Sequence, residues 1–310
     1  MGTVSIIVIS FNARGYLERS LATLADAEHE VIVVDSASTD GSQALVRDSF
    51  REVRLVELEA NRGYGAAANE GMQVAGGDHL LVLNCDAWPL GDAVERLVDF
   101  VEANPSVGVA GPRLLNPDGS LQRSVRGCPT LWRLATEYFF LRWLNPRSSM
   151  LNAFYGANFD HRSRRSAEFL VGAALLLRRE ALAEVGAFDT NFHMFNEEVD
   201  LCYRMARAGW QVEFVPDAQF VHVGGASTRL DWDRMYREQL RSHLRFLAKH
   251  QGPEVSERGR KLLLWAMRLR SLLFSGERAR IAKEAAKWLS SAETATLLGL
   301  PMGRQPPAPD

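Results

Sequence analysis

Cysteine is scarce in this 310-residue chain, and Cys85, Cys128 and Cys202 show no metal-binding or redox spacing. A scattered, odd count excludes a disulfide scaffold and fits reduced thiols in the cytosol. No apolar run approaches the roughly 18–20 residues needed to span a bilayer. Residues 4–9 are apolar, but no basic segment precedes them and no small-residue cleavage site follows, so a signal peptide is not expected. Excess charge is missing too: a formal net charge of −2 argues against a dedicated nucleic-acid binder. There is no internal repeat. These absences leave a cytoplasmic protein, with peripheral contact at the inner face of the membrane as the only membrane role in view.

What is present is ordinary globular composition, 46% hydrophobic and 24% charged, in a length that suits one large domain or two smaller ones. The small net charge hides an asymmetry. Residues 229–288 hold 15 Lys/Arg against 7 Asp/Glu, a balance of +8, and the remainder holds 21 against 31, a balance of −10. A basic C-terminal segment on an acidic body points to an anionic surface or partner for that segment.

The first third alternates short apolar, β-branched runs (4–9, 31–34, 53–58 and 80–83) with helix-forming stretches (15–27, 41–50 and 64–75). Such alternation predicts an α/β fold with a mainly parallel sheet, covered on both faces. A helix over 92–103 and a strand over 107–110 follow. Residues 112–168 are irregular, with a strong turn at Asn116-Pro117-Asp118-Gly119 and an aromatic stretch over 131–144. Beyond them come an apolar run at 170–177, a helix at 197–208 stopped by Gly209, and strands at 211–215 and 218–223 about a Pro216-Asp217 turn. From about 231 the chain reads as helical, and the proline-rich tail 301–310 as disordered.

Two acidic clusters carry most of the chemistry. Asn84-Cys85-Asp86 ends the run Leu80–Leu83, and Glu197-Glu198-Val199-Asp200 opens a helix. A carboxylate at the C-terminal edge of a strand in such a sheet faces the crevice where ligands bind. One carboxylate can hold a divalent ion on a diphosphate and another can take a proton from an attacking hydroxyl, which suggests group transfer from an activated, phosphate-bearing donor. Helix capping would explain Asp40, but Asp35, at a strand's last position, is better read as a ligand contact. Asn61-Arg62-Gly63-Tyr64-Gly65 joins a strand to a small-residue helix at the same edge, where glycine lets backbone approach a ligand and Arg62 could face phosphate. Three carboxylates within 197–200 exceed what capping needs, and their like charge suits a general base. His222, at the end of an apolar strand, reads either as a semi-buried histidine or as a ligand beside Asp86, which would favour Mn²⁺ over Mg²⁺. The basic, apolar stretch Arg258–Phe274 suits a membrane interface, or packing on the body or in a homodimer; residues 138–143 carry the same ambiguity.

Taken in order, these segments resemble the family 2 glycosyltransferases of GT-A fold, particularly bacterial rhamnosyltransferase-like members, over residues 3–228 or so. Val4–Asn12 is similar to the family's opening strand and nucleotide-contacting turn, which implies donor contacts from Ser10 and Asn12. Val33–Gly41 is similar to the second such turn, whose first aspartate, here Asp35, contacts the base. Asn61–Asn69 resembles the Gly/Ala segment near the donor and implies roles for Asn61, Arg62, Gly63 and Asn69. Asn84-Cys85-Asp86 occupies the metal-binding Asp-x-Asp position with Asn84 in the first place, so the ion would rest on Asp86 and the diphosphate. Glu197–Asp200 resembles the Glu-Asp-x-Asp segment whose second acid, here Glu198, is the base. His222 with Gly224-Gly225-Ala226-Ser227 matches a segment that completes the metal site in related enzymes.

The resemblance implies an inverting, metal-dependent enzyme using Mn²⁺ or Mg²⁺. Its donor would be a nucleotide-diphosphate sugar, dTDP-rhamnose by preference, and its acceptor a cell-surface or polyprenyl-linked glycan. The expected organisation is a GT-A domain over 1–228 (nucleotide-sugar half 1–111, acceptor half 112–228), a basic helical segment over 229–300 and the tail 301–310. Two rivals remain at this stage. A sugar-nucleotide-forming nucleotidyltransferase would need a glycine-rich triphosphate loop, for which Asn12-Ala13-Arg14-Gly15 is poor; a non-catalytic sugar-nucleotide- or glycan-binding subunit would have no use for the acids at 197–200.

Overall fold

The computed structural model describes residues 2–25, 28–152, 154, 159–225, 232–291 and 294. Ala226 and Ser227 of the His222 segment, and the tail 301–310, lie outside the described residues. The chain forms two compact units, Met1–Cys128 with Phe159–Trp232, and Pro129–Asn158 with Asp233–Asp310. The excursion 129–158, expected in the acceptor half of the sheet domain, thus groups with the C-terminal helices.

The first unit begins with β1 (Val4–Ser10), α1 (Arg14–Leu24), β2 (Glu30–Asp35), α2 (Ser42–Ser49), β3 (Arg54–Glu57), α3 (Tyr64–Val74) and β4 (His79–Asn84). It continues through β5 (Ala87–Pro89), α4 (Ala93–Ala103), β6 (Val107–Leu115), β7 (Leu121–Gln122) and β8 (Val125–Arg126). After α5 (Leu131–Tyr138), which belongs to the second unit, follow β9 (Arg165–Ser166), β10 (Phe169–Leu170), β11 (Ala174–Arg178), α6 (Arg179–Val185), α7 (Glu197–Arg207) and β12 (Gln211–His222).

The large sheet runs β3-β2-β1-β4-β11-β6-β12-β5, with β7 beside β6 and β9 beside β12; β8 and β10 pair separately. Strands β3, β2, β1 and β4 are parallel. The runs of β1, β2 and β4 are apolar on both faces because helices cover both. Ile6 and Val8 join the core containing Leu17 and Leu21 of α1 and Leu97 and Val101 of α4. Ile7, on the opposite face, meets α3 at Gly71, where a Cβ would collide with the Ile7 side chain. Between β4 and β6 lies β11, antiparallel to both. The two strands expected at 211–215 and 218–223 are one strand, irregular between Val215 and Gln219, where Pro216 offers no N–H to the ladder. The apolar run at 170–177 divides instead, with residues 171–173 between β10 and β11.

The second unit comprises α5, α8 (Trp232–Gln251), α9 (Pro253–Leu273) and α10 (Gly276–Leu289). Its core joins Leu134 and Tyr138 to Leu240, Leu244, Leu263, Met267, Ala285 and Leu289. Arg270 of α9 donates to the carbonyl of Tyr138 (2.9 Å), tying α5 to α9. Buried between the rings of Tyr138 and Phe154, His243 is pushed down by burial to a pKa of about 4. No helix among the described residues is long and apolar enough to cross a membrane.

Candidate active site

The C-terminal ends of β1 and β2 build one wall. The Asp35 side chain is fully buried. Its Oδ1 accepts from Ser38 N and from Gln43 Nε2, each at 2.8 Å, while its Oδ2 is buried without a hydrogen-bond partner. A buried carboxylate oxygen left this way is an acceptor suited to a ligand N–H or O–H. Asn12, in the left-handed region at φ +46°, stitches the two turns together: its N–H donates to Ser38 Oγ (2.9 Å) and its Oδ1 accepts from Thr39 N (2.8 Å). Ser10 lends its carbonyl to Ser36 N (2.9 Å), and its buried side chain lies against the Cys85 thiol. Asp40 receives Arg14 N and Ser42 N, which is the bland capping role.

At the start of α3, Gly63 adopts φ +97°, and a Cβ there would collide with the carbonyl of His193. That carbonyl accepts from Tyr64 N (3.1 Å), and Asn61 Oδ1 accepts from Gly63 N (3.0 Å). Asn69 spends both ends of its amide on the Phe188 backbone, at 2.9 and 3.0 Å. These residues pin the loop that precedes α7 against α3. Arg62 is exposed and paired with Glu70 at 2.6 Å.

Asp86, just past β4, meets His222 at the end of β12, because β5 folds back as the antiparallel partner of β12, with His222 opposite Ala87. Asp86 Oδ1 lies 3.4 Å from His222 Nε2, and Asn84 Nδ2 lies 3.3 Å from the same nitrogen. On the far side of the ring, His222 Nδ1 is 2.6 Å from Gln122 Oε1. Gln122 Nε2 donates to Asn116 Oδ1 (3.1 Å) and to the His222 carbonyl (3.2 Å), which fixes the amide's orientation. Nδ1 therefore donates to Gln122, and Nε2 is the nitrogen that faces Asp86.

Adjacent ligands of an octahedral Mg²⁺ or Mn²⁺ ion are about 3 Å apart, close to the observed Asp86–His222 separation. No group of three or more His, Cys, Asp or Glu among the described residues is placed to hold a metal. The pair thus fits a cation completed by phosphate and water rather than a protein cage. Between Asn84 and Asp86, Cys85 is buried, and burial and then the charge of Asp86 push its thiol up to about 12.

The second acidic cluster opens α7 after two consecutive left-handed residues, Phe195 (φ +65°) and Asn196 (φ +64°). Non-glycine residues in this conformation store strain of order 1–3 kcal/mol each and concentrate at functional sites. Here they turn the chain so that Glu197 and Glu198 begin the helix. Asp200, fully buried, binds Arg204 Nε at 2.8 Å. Arg204 in turn holds the carbonyls of Val185, Gly186 and Ala187, so Asp200 anchors the preceding loop. Glu198 is half-buried, and its Oε2 has no hydrogen-bond partner. Burial raises its pKa above the ordinary carboxylate range, with Arg126 among the groups opposing the shift.

Tyr64 links the clusters. Its hydroxyl donates to the Gly172 carbonyl (2.8 Å), and a Cβ on Gly172 would be 3.4 Å from Glu198 Cβ. The next residue, Ala173, accepts from Asn84 N at 3.0 Å. Burial, then the charges of Glu197, Glu198, Cys85 and Asp86, hold the Tyr64 phenol well above its usual pKa, so both clusters lie within electrostatic reach of this one side chain. Gln122, Gly172, Phe195 and Asn196 have roles that sequence reading missed. In the sequence Gly172 falls inside the apolar run at 170–177, and Gln122 carries no local signal.

The model of glycosyl transferase family 2 matches residues 5–186. The N-acetylglucosaminyl-diphospho-decaprenol L-rhamnosyltransferase of Mycobacterium tuberculosis is 32% identical over 263 residues, covering 80% of this chain and 85% of that protein. Rhamnosyltransferase WbbL of Escherichia coli is 24% identical over 257 residues, 79% of this chain and 93% of that one. Among solved structures, mannosyltransferase PcManGT from Pyrobaculum calidifontis, in complex with GDP-Man and Mn²⁺, aligns with a TM-score of 0.54 at 18% identity, over 96% of this chain and 84% of that one. GalNAc-T7 with UDP, GalNAc and Mn²⁺ aligns with a TM-score of 0.58 at 14% identity, over 96% and 57%. At these identities the structural likeness speaks for the GT-A fold alone. The matched span and the mycobacterial relative make the chain a member of glycosyl transferase family 2, a glycosyltransferase of GT-A fold.

Proposed function

We propose that this glycosyltransferase moves L-rhamnose from dTDP-rhamnose to a hydroxyl of a polyprenyl-linked cell-surface glycan, in one inverting displacement. The observation that carries the mechanism is Glu198, a carboxylate of raised pKa with one buried, unpartnered oxygen, connected through Gly172 and Ala173 to the strand end that carries Asn84 and Asp86. Glu198 takes the proton of the acceptor hydroxyl as its oxygen bonds to the anomeric carbon, and the bond from that carbon to the donor diphosphate breaks on the opposite face. Asp35 and the Asn12 turn receive the nucleotide. Asp86 and His222 would hold a divalent cation, Mn²⁺ or Mg²⁺, which when bound neutralises the departing diphosphate. Gln122 keeps His222 in the ligating tautomer, and Asp200 positions the loop beside α7 through Arg204.

The sugar rests on kinship: both relatives described above bear the name rhamnosyltransferase, and the mycobacterial one names a diphospho-decaprenol acceptor. The test is a panel of nucleotide sugars scored by thermal stabilisation with Mn²⁺ present, since ligand binding raises apparent stability by mass action. dTDP-rhamnose should raise Tm most. A larger rise with UDP- or GDP-sugars, and none with dTDP-rhamnose, would contradict the donor assignment while leaving the base and cation assignments standing.

A further inference from the structure

The second unit exposes apolar side chains that its own core does not need. Along α9, Arg258, Lys261, Trp265, Arg268, Leu269 and Leu272 are all exposed, spaced so as to share one face of the helix. Ser256, Gly259, Leu263, Ala266 and Met267 are buried on the other. Trp265 is 63% exposed and Leu272 83% exposed, values that exclude any role for them in the core. The Arg268 guanidinium lies 5.2 Å from the Trp265 ring.

At the C-terminal end of this helix Phe140 packs edge-on against Phe274 (5.7 Å). That contact brings alongside a short turn carrying Trp143, 66% exposed, and Leu144, 77% exposed. Arg142 lies over the Trp143 ring at 5.1 Å and pairs with Glu137 at 3.2 Å. Trp143 and Trp265 thus each sit beside an arginine, with leucines at the same end of the helix.

Charge decides what covers this face. The second unit holds 18 Lys/Arg against 9 Asp/Glu, a formal +9, and the first 18 against 29, a formal −11. The charged residues on the exposed stripe are Arg258, Lys261 and Arg268. The acids of α9 itself are Glu254, exposed at the helix start, and Glu257, which pairs with Arg260 and Lys261. In a two-fold dimer the stripe would face its own copy and bring like charges together. A sheet of anionic headgroups over acyl chains complements both the basic and the apolar residues. Tryptophan and arginine side by side are at home at that boundary.

We propose that this α9 face, with the Trp143-Leu144 turn, docks the second unit on an anionic lipid surface. The inference rests on the surface alone and stands whichever acceptor the enzyme uses. Its test is flotation of the full chain with vesicles of phosphatidylcholine, with and without phosphatidylglycerol, over a salt series. The chain should float with the anionic vesicles, not with pure phosphatidylcholine, and less so as salt rises.

Two variants at exposed positions, checked for an unchanged Tm, separate the contributions. Trp265→Ser with Leu272→Glu should weaken binding by about tenfold or more. Arg258→Gln, Lys261→Gln and Arg268→Gln together should remove the dependence on phosphatidylglycerol. Absence of flotation, or equal flotation by the wild type and both variants, would overturn the proposal. A dimer of the wild type that Leu272→Glu converts to monomer would assign the face to a second copy and overturn it too.

Discussion

Gln122 Oε1 lies 2.6 Å from His222 Nδ1, across a separation of 100 residues in sequence. This bond decides which nitrogen of His222 is available beside Asp86. The Gln122 amide cannot be flipped without losing its donations to Asn116 and to the His222 carbonyl. Its oxygen must therefore accept, Nδ1 must donate, and Nε2 is the nitrogen left facing Asp86.

Removing that acceptor should loosen the cation without touching a ligand. Gln122→Leu is expected to weaken Mn²⁺ binding in the presence of dTDP by about 10–100-fold, measured by calorimetry, with Gln122→Glu retaining most of it. Unchanged Mn²⁺ affinity in Gln122→Leu would show that Gln122 does not hold His222 for a cation.

Asp86→Ala should abolish metal-dependent nucleotide binding outright, and chelation of the wild type should do the same to turnover. Full turnover in excess chelator would exclude a cation from the reaction.

The raised pKa of Glu198 has a consequence for stability. Between its unfolded and folded pKa values the native state binds the proton more tightly, so stability falls as pH rises through that window, and the ionised carboxylate remains a cost above it. Glu198→Gln should therefore melt higher than the wild type at neutral pH, and the gap should close as the pH drops below the ordinary carboxylate range. A lower Tm for the variant at neutral pH would contradict burial as the cause of the shift.

Gly63 has no tolerance for a side chain, since its φ is +97° and His193 O occupies the Cβ position. Gly63→Ala should cost more than the about 1–2 kcal/mol of left-handed strain alone and should impair turnover. Gly91→Ala, at φ +57° with open space around it, should cost only the strain. Thermal melts of the two variants check this, and equal losses would contradict the steric account.

Much of the sheet was legible because β1, β2 and β4 are buried on both faces and read as unbroken apolar runs ending at Ser10, Asp35 and Asn84. The insertion of β11 between β4 and β6 was not, because its antiparallel pairing is set by partners more than 60 residues away in sequence and not by any local pattern. The same holds for Gln122, whose partner is reached only when β7 and β12 flank β6. The 129–158 excursion looked irregular because its apolar residues face helices far along the chain. Asn69 and Arg62 have partners that no motif shows: Asn69 bonds the Phe188 backbone and Arg62 pairs with Glu70.

The central claim is that Glu198 removes the acceptor's proton, and the direct measurement is kcat for Glu198→Gln beside Glu197→Gln, with donor and acceptor saturating. Base catalysis is worth about 10²–10⁴-fold, so Glu198→Gln should lose that much kcat with donor affinity nearly unchanged, and Glu197→Gln should lose less. A near-normal kcat for Glu198→Gln would contradict the account; if Glu197→Gln were then the inactive variant, the base would be Glu197.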